Sequence, residues 1–385
     1  MRLARSEVFS PTEVAIVHVM NRVVRRCFLF GSDPVSGKNY DHRKAWIEEQ
    51  LRLHAANFGI DLLGFAIMSN HFHLILRSRP DVVKEWDDSE VARRWLMLCP
   101  LRKTAERTAE QPNEFELNMI RNNPEKLAMI RERLSDIAWW MRLLCQHIAM
   151  RANKEDGEFG RFFQSRYKGV RLLDETAILA CAAYVDLNLI RAAMAETLEK
   201  SDFTSIQRRI ETLQAESATA STHTDVKVGA VASTPESPGA PSTSDHKQAK
   251  NRVSPESRKS DRFLSPLTLE TRNGELGAVL SQNGCRASDK GFLPMVLGDY
   301  ILLLDWTARK LVREKRGATP QAVAPVLKRL GLDAKAWCKL VSNFGRMYYN
   351  VAGRPQTIEA TSSRVSHHRY NIPRPARELF APATV

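Results

Sequence analysis

The stretch Met68-Ser69-Asn70-His71-Phe72-His73-Leu74-Ile75-Leu76 decides how the rest of the chain is read. Residues 71–77 are apolar and aromatic enough to predict a strand. Strand side chains alternate, so His71 and His73 share one face while Phe72, Leu74 and Leu76 point to the other, into the core. Two imidazoles side by side on a rigid element form a sensible ligand pair for one metal ion, each ring needing a partner for its second nitrogen. The plainer reading is a pair of half-buried histidines capping a sheet face. The spacing alone leaves both open.

Working outward toward the N-terminus, Ile60 to Ile67 predicts a strand that turns through Met68-Ser69-Asn70 into the histidine strand. Tyr40 to Asn57 has helical spacing of Trp46, Ile47, Leu51, Leu53 and Ala55, with Asp41 as N-cap and Gly59 closing the helix. Val14 to Met20 is β-branched and predicts a first strand, followed by Arg22, Arg25 and Arg26. The order is strand, helix, strand, strand. Toward the C-terminus, residues 81–135 are charged, mixed in sign and broken at Pro100, Pro112 and Pro124. They predict a helical insertion with a solvated face.

Ser135 to Asn153 carries an apolar helical stripe. Phe162 to Leu173 predicts a strand with Arg166, Lys168 and Val170 on one face and aromatics between them. Such a surface meets phosphates and stacked bases, or is simply an edge strand with solvated cations. Asp174 then caps a helix predicted over Thr176–Asn188. Tyr184 and Asn188, four apart, share a face of it. A tyrosine hydroxyl can act as a nucleophile, and an asparagine carbonyl can serve as a third metal ligand. Elsewhere such a pair is usually structural; beside a His-x-His strand it acquires a chemical reading.

The bulk numbers set limits. The 385 residues suffice for two or three domains with a real core, and apolar content is 43%. No apolar run approaches the roughly 20 residues of a membrane span. The N-terminus lacks a signal-peptide core, and six scattered cysteines without a Cys-x-x-Cys pair suit a reducing cytoplasm. The net charge of +13 makes a polyanion a plausible partner, with most of the surplus beyond residue 200. Residues 211–262, rich in Ala, Ser, Thr and Pro, read as a disordered linker. Residues 263–385 read as a small basic helical module with an irregular tail. Its helices are placed around Tyr300–Leu311, Ala322–Leu330 and Ala334–Tyr348, with Arg309, Lys310, Arg313, Lys315 and Arg316 closing the first. DNA binding and simple packing are both open to it.

His71-Phe72-His73 resembles the His-hydrophobic-His motif of HUH endonucleases. Phe163-Gln164-Ser165-Arg166-Tyr167-Lys168, followed by Tyr184-Val185-Asp186-Leu187-Asn188-Leu189-Ile190-Arg191-Ala192, is similar to REP-associated tyrosine transposases. The resemblance covers residues 14–210 apart from the insertion. Two positions depart from the family pattern: Leu189 stands where proline usually follows the asparagine, and Ala193 where glycine is common. The resemblance implies an α+β fold: a ferredoxin-like antiparallel sheet with helices on one face, in a catalytic domain spanning 1–210. It implies metal binding (Mg2+ or Mn2+) by His71, His73 and Asn188, with Tyr184 as the catalytic nucleophile. Arg166, Lys168 and Arg191 become DNA contacts. The implied partner is single-stranded DNA, often a hairpin, with a homodimer as one arrangement. The implied reaction is cleavage and rejoining through a 5′-phosphotyrosine. A replication- or transfer-type nickase and a catalytically silent DNA-binding relative are the alternatives.

Overall fold

The computed structural model describes residues 8, 10, 12–102, 110–224, 260–269, 277–313, 323–364 and 370–380. The sheet begins with β1 (Ile16–Arg22). Helix α1 (His42–Asn57) leads to β2 (Ile60–Ile67), and β3 (His71–Ser78) follows the turn at Met68–Asn70. The Met68 amide donates to the His71 carbonyl at 2.8 Å, closing that turn. The insertion is helical where described: α2 (Pro80–Glu85), α3 (Asp88–Leu98), α4 (Glu114–Arg121) and α5 (Pro124–Ser135). Helix α6 (Ile137–Asp156) precedes β4 (Lys168–Leu172), α7 (Glu175–Asp186) and the short α8 (Asn188–Arg191). Helix α9 (Ser205–Thr224) occupies the start of the expected linker, whose residues 225–259 lie outside the described residues. Then come α10 (Leu297–Arg313), α11 (Val323–Arg329), α12 (Ala334–Met347), β5 (Val351–Ala352), α13 (Pro355–Arg364) and α14 (Arg374–Leu379). Lys315 and Arg316 lie outside the described residues.

The strand order is β2-β3-β1-β4-β5. The pairs β2–β3, β3–β1 and β1–β4 are antiparallel, and β5 joins β4 in parallel. The fold is α+β, and its first four strands follow the antiparallel arrangement that the sequence resemblance implies. Two compact units emerge by contact: residues 1–207 with 262–385, and residues 208–261. The expected C-terminal module is therefore built into the same unit as the sheet. Arg171 donates its amide to the Asn350 carbonyl at 2.8 Å, and Leu173 does the same to Ala352 at 2.9 Å, which seats β5.

Helices cover both faces of the sheet, not one. On the first face, Asn21 of β1 donates to the Cys145 sulfur of α6 at 3.2 Å, and Phe58 meets Trp140 of α6 at 5.3 Å. The opposite face carries His18 and His73, only 5% and 2% exposed. Rings that dry need a cover, and α7 with α12 supplies it: Tyr184 and Phe344 lie 6.0 and 6.2 Å from His18. No helix among the described residues is long and apolar enough to cross a membrane.

Candidate active site

Register brings the histidines together. His73 pairs with Met20, His71 with Arg22, and His18 with Ile75 and Val170. Because alternate residues share a face, His18, His71, His73, Arg22 and Lys168 all project to the face beneath α7. His71 and His73 ring centroids are 5.0 Å apart. Tyr184 stands edge-on to His73 at 5.4 Å. Asp174 caps α7 by accepting from the Ala177 amide at 2.9 Å, which fixes where Tyr184 falls along the helix.

Burial governs the charge states. The pKa of His71 is pushed down to about 4 by desolvation, assisted by the Arg22 charge. His18 is also driven down to about 4 by burial. His73 is lowered well below its ordinary value, first by burial and then by its charged neighbours. All three rings are neutral at pH 7, the state in which imidazole binds metal. Burial raises the Tyr184 pKa, while the charge of Arg191 opposes the rise. That guanidinium lies 5.1 Å from the Tyr184 ring centroid and donates to the Ser342 carbonyl of α12 at 2.5 Å.

Asn188 does not continue the Tyr184 helix. Helix α7 ends at Asp186, Leu187 joins the two, and Asn188 begins α8. The Asp186 carboxylate is taken by the Tyr300 hydroxyl at 2.7 Å and the Ser205 hydroxyl at 2.6 Å. Asn188 is buried, and its Nδ2 has no hydrogen-bond partner. Half a turn of the amide exchanges Oδ1 for Nδ2 in that position. His73 Nε2 is likewise buried without a partner. Orphaned polar atoms of this kind call for an explanation, and a bound ion is one. The described residues include no group of three or more His, Cys, Asp or Glu side chains placed to hold a metal. The resemblance assigns an ion to the two imidazoles and the Asn188 amide; the imidazoles adjoin each other, and Asn188 opens α8. Imidazole nitrogen and an amide oxygen are both donors to divalent ions, the oxygen suiting the harder ones, Mg2+ and Mn2+ among them.

The basic residues separate. The strand starts only at Lys168, so Arg166 precedes it, exposed. Lys168 is exposed in the same cross-strand row as Met20 and His73. Arg191 is half-buried against Tyr184, where it doubles as a tie to α12. Three neighbours were missed in the sequence: His18, Arg22 and Phe344. His18 lies in the predicted first strand, but only the register sets it beside His73. Arg22 presents a buried Nε without a partner. Phe344 sits 5.9 Å from Tyr184, on a helix more than a hundred residues downstream, and carries no local signal. An open cleft lined by Ala193, Thr197, Asp305 and Arg309 contains none of these residues.

No family model and no curated protein matches the chain. Among solved structures it is similar to a REP-associated tyrosine transposase bound to a REP hairpin. The identity is 8% and the TM-score 0.30, over 51% of this chain and 79% of that one.

Proposed function

We propose that the chain is a transposase-type DNA endonuclease and strand transferase, acting on single-stranded or hairpin DNA through Tyr184. The observation that carries this reading is the Tyr184 ring standing 5.4 Å from His73, beside the His71–His73 pair. A tyrosine whose ring packs on His73 and His18, with a guanidinium 5.1 Å from that ring, gathers a nucleophile, neutral imidazoles and a positive charge, a set suited to transfer at a phosphate.

His71, His73 and Asn188 would hold a divalent ion, which supplies charge neutralisation and orientation at the scissile phosphate. Tyr184 Oη attacks phosphorus. The Oη–P bond forms, the P–O3′ bond breaks, and the products are a 5′-phosphotyrosine and a free 3′-hydroxyl. The tyrosine gives up one proton and the leaving 3′ oxygen gains one, so the step needs no oxidant or nucleotide. The ester bond is kept in the adduct, and a second 3′-hydroxyl can reverse the step. Arg191 would meet a phosphate oxygen and stabilise the phenolate, its charge already opposing the rise in the Tyr184 pKa. Lys168 and Arg166, both exposed, are suited to the approaching strand.

The test is a pool of single-stranded hairpin oligonucleotides incubated with Mn2+ or Mg2+, with EDTA, and with Tyr184→Phe. A metal-dependent covalent adduct on a denaturing gel that vanishes with Tyr184→Phe is the expected result. Cleavage without an adduct would make water the nucleophile and overturn the tyrosine mechanism. Binding with neither favours the catalytically silent alternative.

A further inference from the structure

We infer that His18 is the positioning residue of His73, holding it in the tautomer and ring orientation that turn its Nε2 lone pair toward the metal site. This rests on the metal-site reading above and extends it to a residue outside the proposed ligand set. His18 Nε2 and His73 Nδ1 are 2.9 Å apart, in a hydrogen bond between two buried side chains. The ring planes are within 12° of parallel and the centroids 5.1 Å apart, the spacing of two rings joined edge to edge through that bond. Two neutral imidazoles share one proton across that gap, and its location decides what His73 can do.

If His18 donated, neutral His73 would carry its proton on Nε2. That atom is buried and has no partner. A buried N–H without an acceptor loses its hydration with nothing in return, whereas a bare lone pair can still be taken up by a metal ion. The geometry therefore assigns the proton to His73 Nδ1, which donates to His18 Nε2. His73 Nε2 is left with its lone pair bare.

His71 reaches the same state by a different partner. Its Nδ1 lies 2.6 Å from Asn70 Oδ1. The Asn70 amide is oriented by its Nδ2 donating to the Arg26 carbonyl at 3.1 Å, so the atom facing His71 is the oxygen. A carbonyl oxygen only accepts, hence His71 Nδ1 donates and its Nε2 is bare. Both candidate ligands present Nε2, one set by Asn70 from the turn before β3, the other by His18 from β1. Histidine ligands gain their orientation from such a partner on the second nitrogen.

The experiment has two arms on the full-length chain. The first is 15N-histidine NMR of the metal-free wild type. His73 protonated at Nδ1 and bare at Nε2 is expected; protonation at Nε2 overturns the inference without reference to any metal or variant. The second measures Mn2+ affinity from the EPR signal of free Mn2+. His18→Phe keeps an aromatic ring in this place and removes the acceptor, and should weaken Mn2+ roughly 10–100-fold. His18→Gln returns an acceptor oxygen near the Nε2 position and should recover most of that loss, with both variants melting alike. Wild-type affinity in His18→Phe overturns the positioning role. No Mn2+ binding by wild type, with His73 still protonated at Nδ1, removes the metal reading while the tautomer assignment stands.

Discussion

The Tyr184 hydroxyl lies against the backbone of Gly345, so that a Cβ built at Gly345 would meet Oη at 2.7 Å and Cζ at 3.1 Å. A side chain at Gly345 therefore needs the Tyr184 ring to give way. Gly345→Ala overfills the contact by about 1–3 kcal/mol against about 1 kcal/mol of helix propensity gained within α12, and should on balance lower stability in urea unfolding. Deleting the hydroxyl removes the closest clashing atom. Gly345→Ala should therefore cost less in a Tyr184→Phe background, and the double-mutant cycle should be non-additive by at least about 0.5 kcal/mol. Strict additivity would mean that α12 does not pack on the hydroxyl in solution.

Burial of the same hydroxyl gives a pH dependence with a definite sign. The folded-state pKa of Tyr184 is raised above its ordinary 10, mainly by desolvation. Above pH 10 the unfolded chain releases this proton while the folded chain keeps it. Folded protein then binds more protons than unfolded, and stability falls as pH rises. Wild type should lose stability more steeply than Tyr184→Phe between pH 9.5 and about 11, read from urea midpoints. Parallel curves would show that the hydroxyl is solvated.

How much of this was legible in the sequence depends on the range of the signal. The alternation in His71–Leu76 and the β-branched run at Val14–Met20 are local, and both strands formed within two residues of their predicted bounds. The apolar stripe of α6 and the Asp174 cap are local as well. His18 was visible as a residue but not as a neighbour, because register depends on pairing across the sheet. Arg166 was placed in a strand that starts two residues later, since its aromatic neighbours Phe162 and Phe163 pack on Phe30. The role of the C-terminal helices was hidden for the same reason. Their amphipathic spacing predicts that each has an apolar face, and says nothing of which surface that face covers.

Asp61 tests that last point. Its carboxylate is 1% exposed and bonds Arg77 Nε at 2.8 Å, Arg79 Nη1 at 3.2 Å and the Ser288 hydroxyl at 2.8 Å. Both guanidiniums are themselves buried, and Arg77 also donates to the Gly291 carbonyl at 2.8 Å. One side chain of β2 thus joins two charges of the core to the segment before α10. Asp61→Ala leaves the buried Arg77 without a carboxylate, while Arg79 keeps Asp81 at 2.8 Å, and should cost about 3–5 kcal/mol. A loss under about 1 kcal/mol in urea unfolding would show that water enters the cluster and that the C-terminal segment is not held by it.

Ala193 is the last position where sequence and structure meet on one residue. It adopts φ 54°, the left-handed region, directly after α8. Its amide donates to the Ile190 carbonyl at 3.1 Å, and the Met194 amide to Leu189 at 2.9 Å, the pattern of a helix closed by a left-handed residue. A Cβ in that conformation costs about 1–2 kcal/mol, whereas glycine adopts it without strain. Glycine also has more freedom to lose on folding, worth about 0.5–1 kcal/mol. The two effects oppose, and the strain is the larger. Ala193→Gly should therefore raise stability by about 0.5–1 kcal/mol, with the Tyr184 contacts unchanged because the substitution lies beyond α8. Thermal melts of the two proteins decide it. A lower melting temperature for Ala193→Gly would mean that Ala193 leaves the left-handed region in solution, and that α8 ends differently from the closure described.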